Sequence, residues 1–463
     1  MVQPVVTLPP PAPVASPTPR SNRFVVWVVG IICFGILLFI LGQFVVEIFA
    51  PAPPPRFKFI KDLPLPSAVP TRFIPHLYDI PPHQSPLTPG VSVPVDHFDF
   101  QAIDPRTKLL FIAHSGPAPD EYALADPAFD IDKDVPFDGH IVVVDTARNV
   151  VIGRVDVPQI AGIVVAPDLG RVYAADAEDN IVYAIDEHTL KATAIQLADL
   201  ETPDGIDYDP DDHKVFVSDP GSPPDSNPNG NVSRDNQNLS VIDILHHNAV
   251  SRISLGHLPK LPGERADLVQ FGYDVGHNHY DPVLRRVFVT IQQLTDQSVD
   301  VPATPPGGTG ELVAVNPVTQ RVVQRLQLPT TCGTPHGLNI DMQTQIAFIA
   351  CTDVDPAQHL VQNLIRVDLR TMTVIHDPLM LLAPKPDLVV LDRPLHILFV
   401  ACAGGVSVFD ESGTSLRKLG DYILGKGTHT LAVDEATQDV YLPLTDVGGR
   451  PVLRIYHFNP AGS

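Results

Sequence analysis

A turn-opening acid recurs along this chain at intervals that constrain its fold more than any other feature. Asp104, Ala166 (before Pro167), Asp209, Asp281, Asp341, Asp392 and Asp434 each end a short apolar run and open a turn. The two shortest spacings, Ala166 to Asp209 and Asp392 to Asp434, are 43 and 42 residues, matching the ~40–45 residues of a four-stranded propeller blade. The longer spacings carry insertions. After each turn comes a second run: "LLFIAH" (109–114), "RVYAAD" (171–176), "KVFVSD" (214–219), "RVFVTI" (286–291), "IAFIAC" (346–351), "ILFVAC" (397–402) and "DVYLPL" (439–444). A third run ends in an acid or amide, as in "IVVVD" (141–145) and "VYAID" (182–186). These runs are too short and too β-branched for helices. Fifty prolines and thirty glycines, against 18% charged residues, also favour strands and turns. The expectation is an all-β, seven-bladed β-propeller of four-stranded antiparallel blades over residues 93–460.

The second-run pattern, Tyr or Phe flanked by Val and followed by a small residue, resembles the YVTN-type repeat family of seven-bladed propellers. That family includes lactonase-like enzymes and cell-surface proteins. The resemblance covers essentially all of the chain after its N-terminal apolar segment. It implies the propeller scaffold, whereas activity has to be argued from a site.

The seventh unit stops after a third strand, "PVLRIYHF" (451–458), which would leave an open edge. "RFKFIKDLPLP" (56–66) has the apolar spacing of a fourth strand and is the expected donor that closes the ring. "TRFIPHLYDI" (71–80) is the alternative donor.

An antiparallel meander brings the start of every innermost strand to one mouth of the ring. The positions five before each turn acid are Asp99, Ala161, Asp204, Gly276, His336, Asp387 and His429, with His277 displaced by one. Asp99, Asp204, His277, His336, Asp387 and His429 are therefore expected around one opening, where carboxylate and neutral imidazole suit a ligand or a divalent cation, calcium or a transition metal. Of these, His336, His429 and His277 are the candidates for proton transfer. Satisfaction by water and backbone in a wet channel is the structural reading of the same residues. His97, His114, His140 and His279 approach the same region and are secondary candidates.

Elsewhere, "DSNPNGNVSRDN" (225–236) matches the first half of a calcium loop through Asp225, Asn227, Asn229 and Asn231, with Gly230 at the sharp turn. Asn236 replaces the bidentate glutamate of such loops, and Asp235 is the substitute. The alternating Asp130, Asp132 and Asp134 lack the required glycine and make a weaker loop. Of four cysteines, Cys332 and Cys351 fall at the same end of one blade and are the expected disulfide, with Cys402 as competitor or buried free thiol. No GxSxG elbow, Walker loop or strand-linked GxGxxG occurs. A net charge of −22, from 31 basic and 53 acidic residues, argues against nucleic acid as a partner.

Residues 24–46, "FVVWVVGIICFGILLFILGQFVV", carry no charge over 23 positions, enough at ~1.5 Å per residue to cross a ~30 Å hydrocarbon layer. A cleaved secretory signal has an apolar core of only ~7–15 residues. Residues 23–48 are thus read as a single-pass bilayer anchor. A Pro-rich cytoplasmic tail (1–22) precedes it, and a Pro-rich linker (49–92) leads to a propeller outside the cytoplasm. Arg20 and Arg23 before the segment are balanced by Arg56, Lys58 and Lys61 after it, so the shortness of the tail sets this orientation. The reading is a membrane-anchored extracytoplasmic propeller that binds a protein or small-molecule ligand at its channel mouth. The alternative is a metal-dependent, lactonase-like hydrolase using the His/Asp ring.

Overall fold

Hydrogen bonding at the turns explains why the acid recurs. In this computed structural model, which describes residues 55–66, 69–70, 97–116, 137–176, 180–197, 203–219, 238–255, 273–293, 310–354, 360–403, 405–425, 428–448 and 450–462, the turn carboxylates cap the turns they open. Asp209 accepts from the backbone N–H of Asp211 at 2.8 Å, Asp281 from Val283 at 2.8 Å, Asp341 from Gln343 at 2.9 Å and Asp434 from Ala436 at 2.9 Å. Such side chain-to-backbone bonds replace part of the turn's own hydrogen bonding. Four residues after each acid position the backbone turns left-handed, at Lys108, Gly170, His213, Arg285, Gln345, His396 and Gln438, with φ between 49° and 61°. A turn closed by one left-handed residue is a favoured hairpin connection. Blade 2, with Ala166 in place of the acid, makes the turn with a short 3-10 helix, Pro167–Leu169, and Gly170.

These hairpins build seven four-stranded antiparallel sheets. The innermost strands are His97–Asp104, Ile160–Ala166, Ile206–Asp209, Tyr273–Asp281, Thr334–Asp341, Pro386–Asp392 and Ala432–Asp434, in blades 1 to 7. Each packs on the next, and the last packs on the first, closing the ring. Seven residues after each turn position stands one aromatic: Phe111, Tyr173, Phe216, Phe288, Phe348, Phe399 and Tyr441, all at most 1% exposed. Each such ring contributes ~1.5–3 kcal/mol by its burial. This is the physical content of the repeated Tyr/Phe position.

Ring closure uses the N-terminus. Phe57–Pro64 pairs antiparallel with Val452–Phe458, from Phe57 opposite Phe458 to Pro64 opposite Val452, and becomes the outermost strand of blade 7. Phe57 sits among Phe399, Tyr422, Tyr456 and Phe458 at centroid distances of 4.9–6.3 Å. Asp62 takes a two-pronged 2.8 Å contact from Arg454. Because this strand runs from the turn face toward the mouth, Arg56 lies at the face opposite the mouth, where its carbonyl accepts from Asn459 N–H at 2.7 Å. The alternative donor segment, 71–80, lies outside the described residues. So do residues 24–46, and no helix among the described residues is long and apolar enough to cross a membrane.

Neighbouring blades also meet at the turn face. Glu187 of blade 2 is buried beside Asp104 of blade 1 and accepts a 3.1 Å hydrogen bond from Thr107. Burial first, and the Asp104 carboxylate second, push Glu187 up to about 7 from an ordinary 4.5. The folded chain therefore holds this proton more tightly than the unfolded chain, and its stability falls as pH rises from about 4.5 to about 7. Glu187→Gln should raise the unfolding free energy by ~1–3 kcal/mol at pH 8 and leave it nearly unchanged at pH 4. Urea titrations at the two values measure this; destabilisation at pH 8 would contradict it.

Candidate functional site

The innermost strands do not enter the channel mouth as regular strands. In five blades the ladder skips two residues at the same place, between Phe98 and Gln101, Ile160 and Ile163, Val275 and Asn278, Pro335 and Leu338, and Pro386 and Val389. Two residues there face one partner across the strand, namely Ala113, Ala175, Thr290, Ala350 or Ala401. That is a β-bulge, a device that re-aims side chains beside functional sites. The small residue after the second-strand aromatic is what leaves room for it.

The bulge carries the site. Its first residue is Asp99, Ala161, His336 or Asp387, and in blade 4 the pair is Gly276 and His277, which accounts for the one-residue displacement of that histidine. The bulges touch the neighbouring inner segments through backbone: a Cβ on Gly162 would fall 1.9 Å from the Asp204 carbonyl oxygen, and one on Gly337 would fall 1.9 Å from that of Asp387. Only glycine permits these approaches. Side chains then pin the bulges together. Asn278 donates to the Gly205 carbonyl at 2.8 Å and Thr290 to the His336 carbonyl at 3.0 Å.

All six expected mouth residues converge. Asp204, His277 and His336, from blades 3 to 5, present ligand atoms within 4.8 Å of one another, and so do Asp387, His429 and Asp99, from blades 6, 7 and 1. Ala161 leaves blade 2 without a polar group in the ring. Asp387 joins the two groups: its Oδ1 lies 3.1 Å from His336 Nε2 and 3.9 Å from His277 Nε2, while its Oδ2 lies 2.9 Å from His429 Nε2. Phe100, the second bulge residue of blade 1, reaches across the channel to 4.7 Å from the His277 ring and floors the site.

Burial and neighbouring charges set the protonation of the ring. Asp387 is only 5% exposed; burial works to raise it, but the His429 charge and hydrogen bonds from His336 and His429 outweigh burial and hold it well below the usual carboxylate range. His429 responds in kind. Burial opposes its protonation, yet the Asp387 charge and hydrogen bond raise it to about 9. Burial, with His336 nearby, lowers His277 to about 3, and no hydrogen-bond partner meets its buried Nε2 among the described residues. Burial raises Asp99 well above its ordinary value, against the pull of His429 and with repulsion from Asp204 and Asp387. At neutral pH the ring thus combines a carboxylate at Asp387, an imidazolium at His429 and a neutral imidazole at His277. Phe100→Ala should admit water beneath His277 and shift its titration upward toward 6.5 by at least one unit, read from imidazole proton shifts; an unmoved value would show that Phe100 is not the floor.

The secondary histidines divide. His97 stacks 5.1 Å from His429 and, through burial and that neighbour, drops to about 4. His279 sits deeper, with Nδ1 2.6 Å from Asp207, a carboxylate that sequence reasoning did not single out. His114 and His140 stack at 4.6 Å inside blade 1 against Phe98. Cys332 and Cys351 form a disulfide, with Cα atoms 4.9 Å apart, and Cys402 is a buried free thiol that burial pushes up to about 12. Asp225, Asn227, Asn229, Asn231 and Asp235 lie outside the described residues, as do Asp130, Asp132 and Asp134.

Comparison with known proteins supports the same architecture. A chain of Kuenenia stuttgartiensis hydrazine synthase is similar, with a TM-score of 0.55 at 14% identity, over 78% of this chain and 96% of that one. The fold is a seven-bladed β-propeller. The β-propeller domain of Myceliophteria thermophila Cps50 (Swd1) is also similar, with a TM-score of 0.50 at 10% identity, over 78% of this chain and 97% of that one. At such identities the likeness concerns fold alone. No protein-family model and no curated protein matches this sequence.

Proposed function

We propose that this propeller is a binding platform whose channel mouth is its ligand site, held outside the cytoplasm by an N-terminal bilayer anchor. The supporting observation is the convergence of six acid and histidine side chains from six blades on one floored opening. A buried carboxylate, Asp387, and a buried imidazole nitrogen, His277 Nε2, that lacks a hydrogen-bond partner among the described residues are costly to hold in a folded protein. A bound polar ligand satisfies both. The anchor reading rests on the uncharged run of residues 24–46.

Binding is tested by thermal shift of the purified full chain against a panel of lactones, sugars, amino acids and short peptides. At least one class should raise the melting temperature, and His429→Ala should remove that rise. A panel with no response, or a response indifferent to His429→Ala, contradicts the platform. For the anchor, protease added to intact cells should digest the propeller portion; full protection reverses the topology.

A lactonase-like hydrolase is the second reading, favoured by one observation: an ionised carboxylate and a neutral imidazole stand 3.9 Å apart in a floored site. Metal-assisted hydrolysis uses such groups to hold an ion and to carry a proton. Lactone turnover that stops with chelator and in His336→Ala supports it, and absence of turnover removes it.

A further inference from the structure

We propose that the mouth holds two divalent transition-metal ions side by side, bridged by Asp387. One ion takes Asp204, His277 and His336 with Asp387 Oδ1, and the other takes Asp99 and His429 with Asp387 Oδ2. The inference deepens the reading of this mouth as the ligand site and rests on it.

The arrangement of Asp387 points to this pairing. Its two oxygens diverge, Oδ1 toward His336 and His277, Oδ2 toward His429. A carboxylate serving one ion would turn both oxygens, or one alone, to a single set of donors. Distances agree as well. The 3.1 and 2.9 Å contacts of His336 and His429 with Asp387, and the 3.9 Å separations of His277 from Asp387 and of His429 from Asp99, all fall within the ~4.1 Å that two ligands each ~2.0–2.1 Å from a common ion can span. His277 gives the independent sign of a missing ligand: it is 3% exposed, and its Nε2, 3.9 Å from Asp387 Oδ1, lacks a hydrogen-bond partner among the described residues.

Chemistry narrows the ion. Mixed imidazole and carboxylate donors favour zinc, manganese, cobalt or iron over calcium and magnesium, which take all-oxygen shells. Three carboxylates nearly offset the charge of two divalent ions, whereas one ion would leave the second group of donors uncompensated. With three or four protein ligands each, both ions keep open positions, and the gap at Ala161 leaves one side of the ring free for an incoming group. Paired ions ~3.5–4 Å apart are a recurrent hydrolytic centre.

The test uses the purified full chain, stripped with chelator and dialysed against Zn2+ or Mn2+. Elemental analysis should find two Zn2+ per chain, and the Mn2+-loaded chain should give an exchange-coupled paramagnetic resonance spectrum. Asp204→Asn and His429→Gln, both at partly exposed positions, should each lower the content from two ions to one, with thermal melts confirming a folded chain. Asp387→Asn should abolish the coupling. A content of zero or one in the unaltered chain, two uncoupled ions, or unchanged content in both single variants overturns the proposal. The outcomes separate the two readings. Metal content of two with no response to the ligand panel leaves the pair and removes the platform; a His429-dependent ligand response without metal does the reverse.

Discussion

Asp387→Ala should lower the unfolding free energy at pH 7 by about 2–3 kcal/mol. Removing one partner of a buried ion pair typically costs ~3–5 kcal/mol, and the expectation is set lower because the His429 side chain is 42% exposed and water screens it. The physical cause is that the Asp387 charge and hydrogen bond offset the burial of the His429 imidazolium and its repulsion by His336, and the substitution removes that offset. The pH dependence has a definite sign. Asp387 is depressed in the folded chain, so its contribution is present above an ordinary carboxylate value near 3.8 and lost as pH falls through its folded value. His429 is raised, so its contribution is full below about 6.5 and disappears as pH rises through about 9. The difference between the unaltered chain and Asp387→Ala should be largest between about pH 4 and 6.5 and should shrink above 9. Urea titration of the chelator-stripped chains across this range measures it; a difference that grows toward pH 10 would exclude the ion pair as its source.

Deleting residues 57–64 should have a still larger effect. That strand pairs along the whole of Val452–Phe458 and buries Phe57 and Leu63, with Leu65 following. At ~1.5–3 kcal/mol for each apolar side chain, the loss is comparable with the ~5–15 kcal/mol that stabilises an entire domain. The deletion also exposes a full strand edge, an invitation to intermolecular pairing. The expected result is a chain recovered as aggregate, or a melting temperature lowered by more than 10 °C, roughly what a loss of several kcal/mol produces. A soluble chain with an unchanged melt would mean that blade 7 is closed by something else. Phe57→Ala gives a graded version, because it empties an aromatic cluster that also holds Phe399 and Tyr422 of blade 6.

Much of this architecture was legible because its causes are local. The turn acid, the left-handed residue four places on and the aromatic three places beyond that are set by hydrogen bonding and burial within one hairpin, so they recur with the chain's own period. Asp104, Lys108 and Phe111 show it in blade 1, and Asp392, His396 and Phe399 in blade 6. Placing Asp99, Asp204, His336, Asp387 and His429 on one opening required only counting back along the inner strand. What counting missed was the bulge. A ladder that skips two residues looks regular in sequence, and only the small residues at 113, 175, 350 and 401, with Thr290 in blade 4, hint at the space it occupies. The Phe100 floor was hidden for a different reason: it acts across the ring, between blades 1 and 4, where no periodicity relates the partners. The Asp207–His279 pair is likewise a contact between blades, its members 72 positions apart in the chain.

The account depends most on side chains from separate blades sharing one opening, and a double-mutant cycle on Asp387→Asn and His429→Gln measures that sharing directly. Urea unfolding of the four chelator-stripped chains at pH 7 should give a coupling energy of about 1–2 kcal/mol, the range for contacting charged groups, and it should vanish at pH 10, where His429 is neutral. A coupling within about 0.3 kcal/mol of zero at pH 7, the additivity expected of distant sites, would contradict a shared mouth.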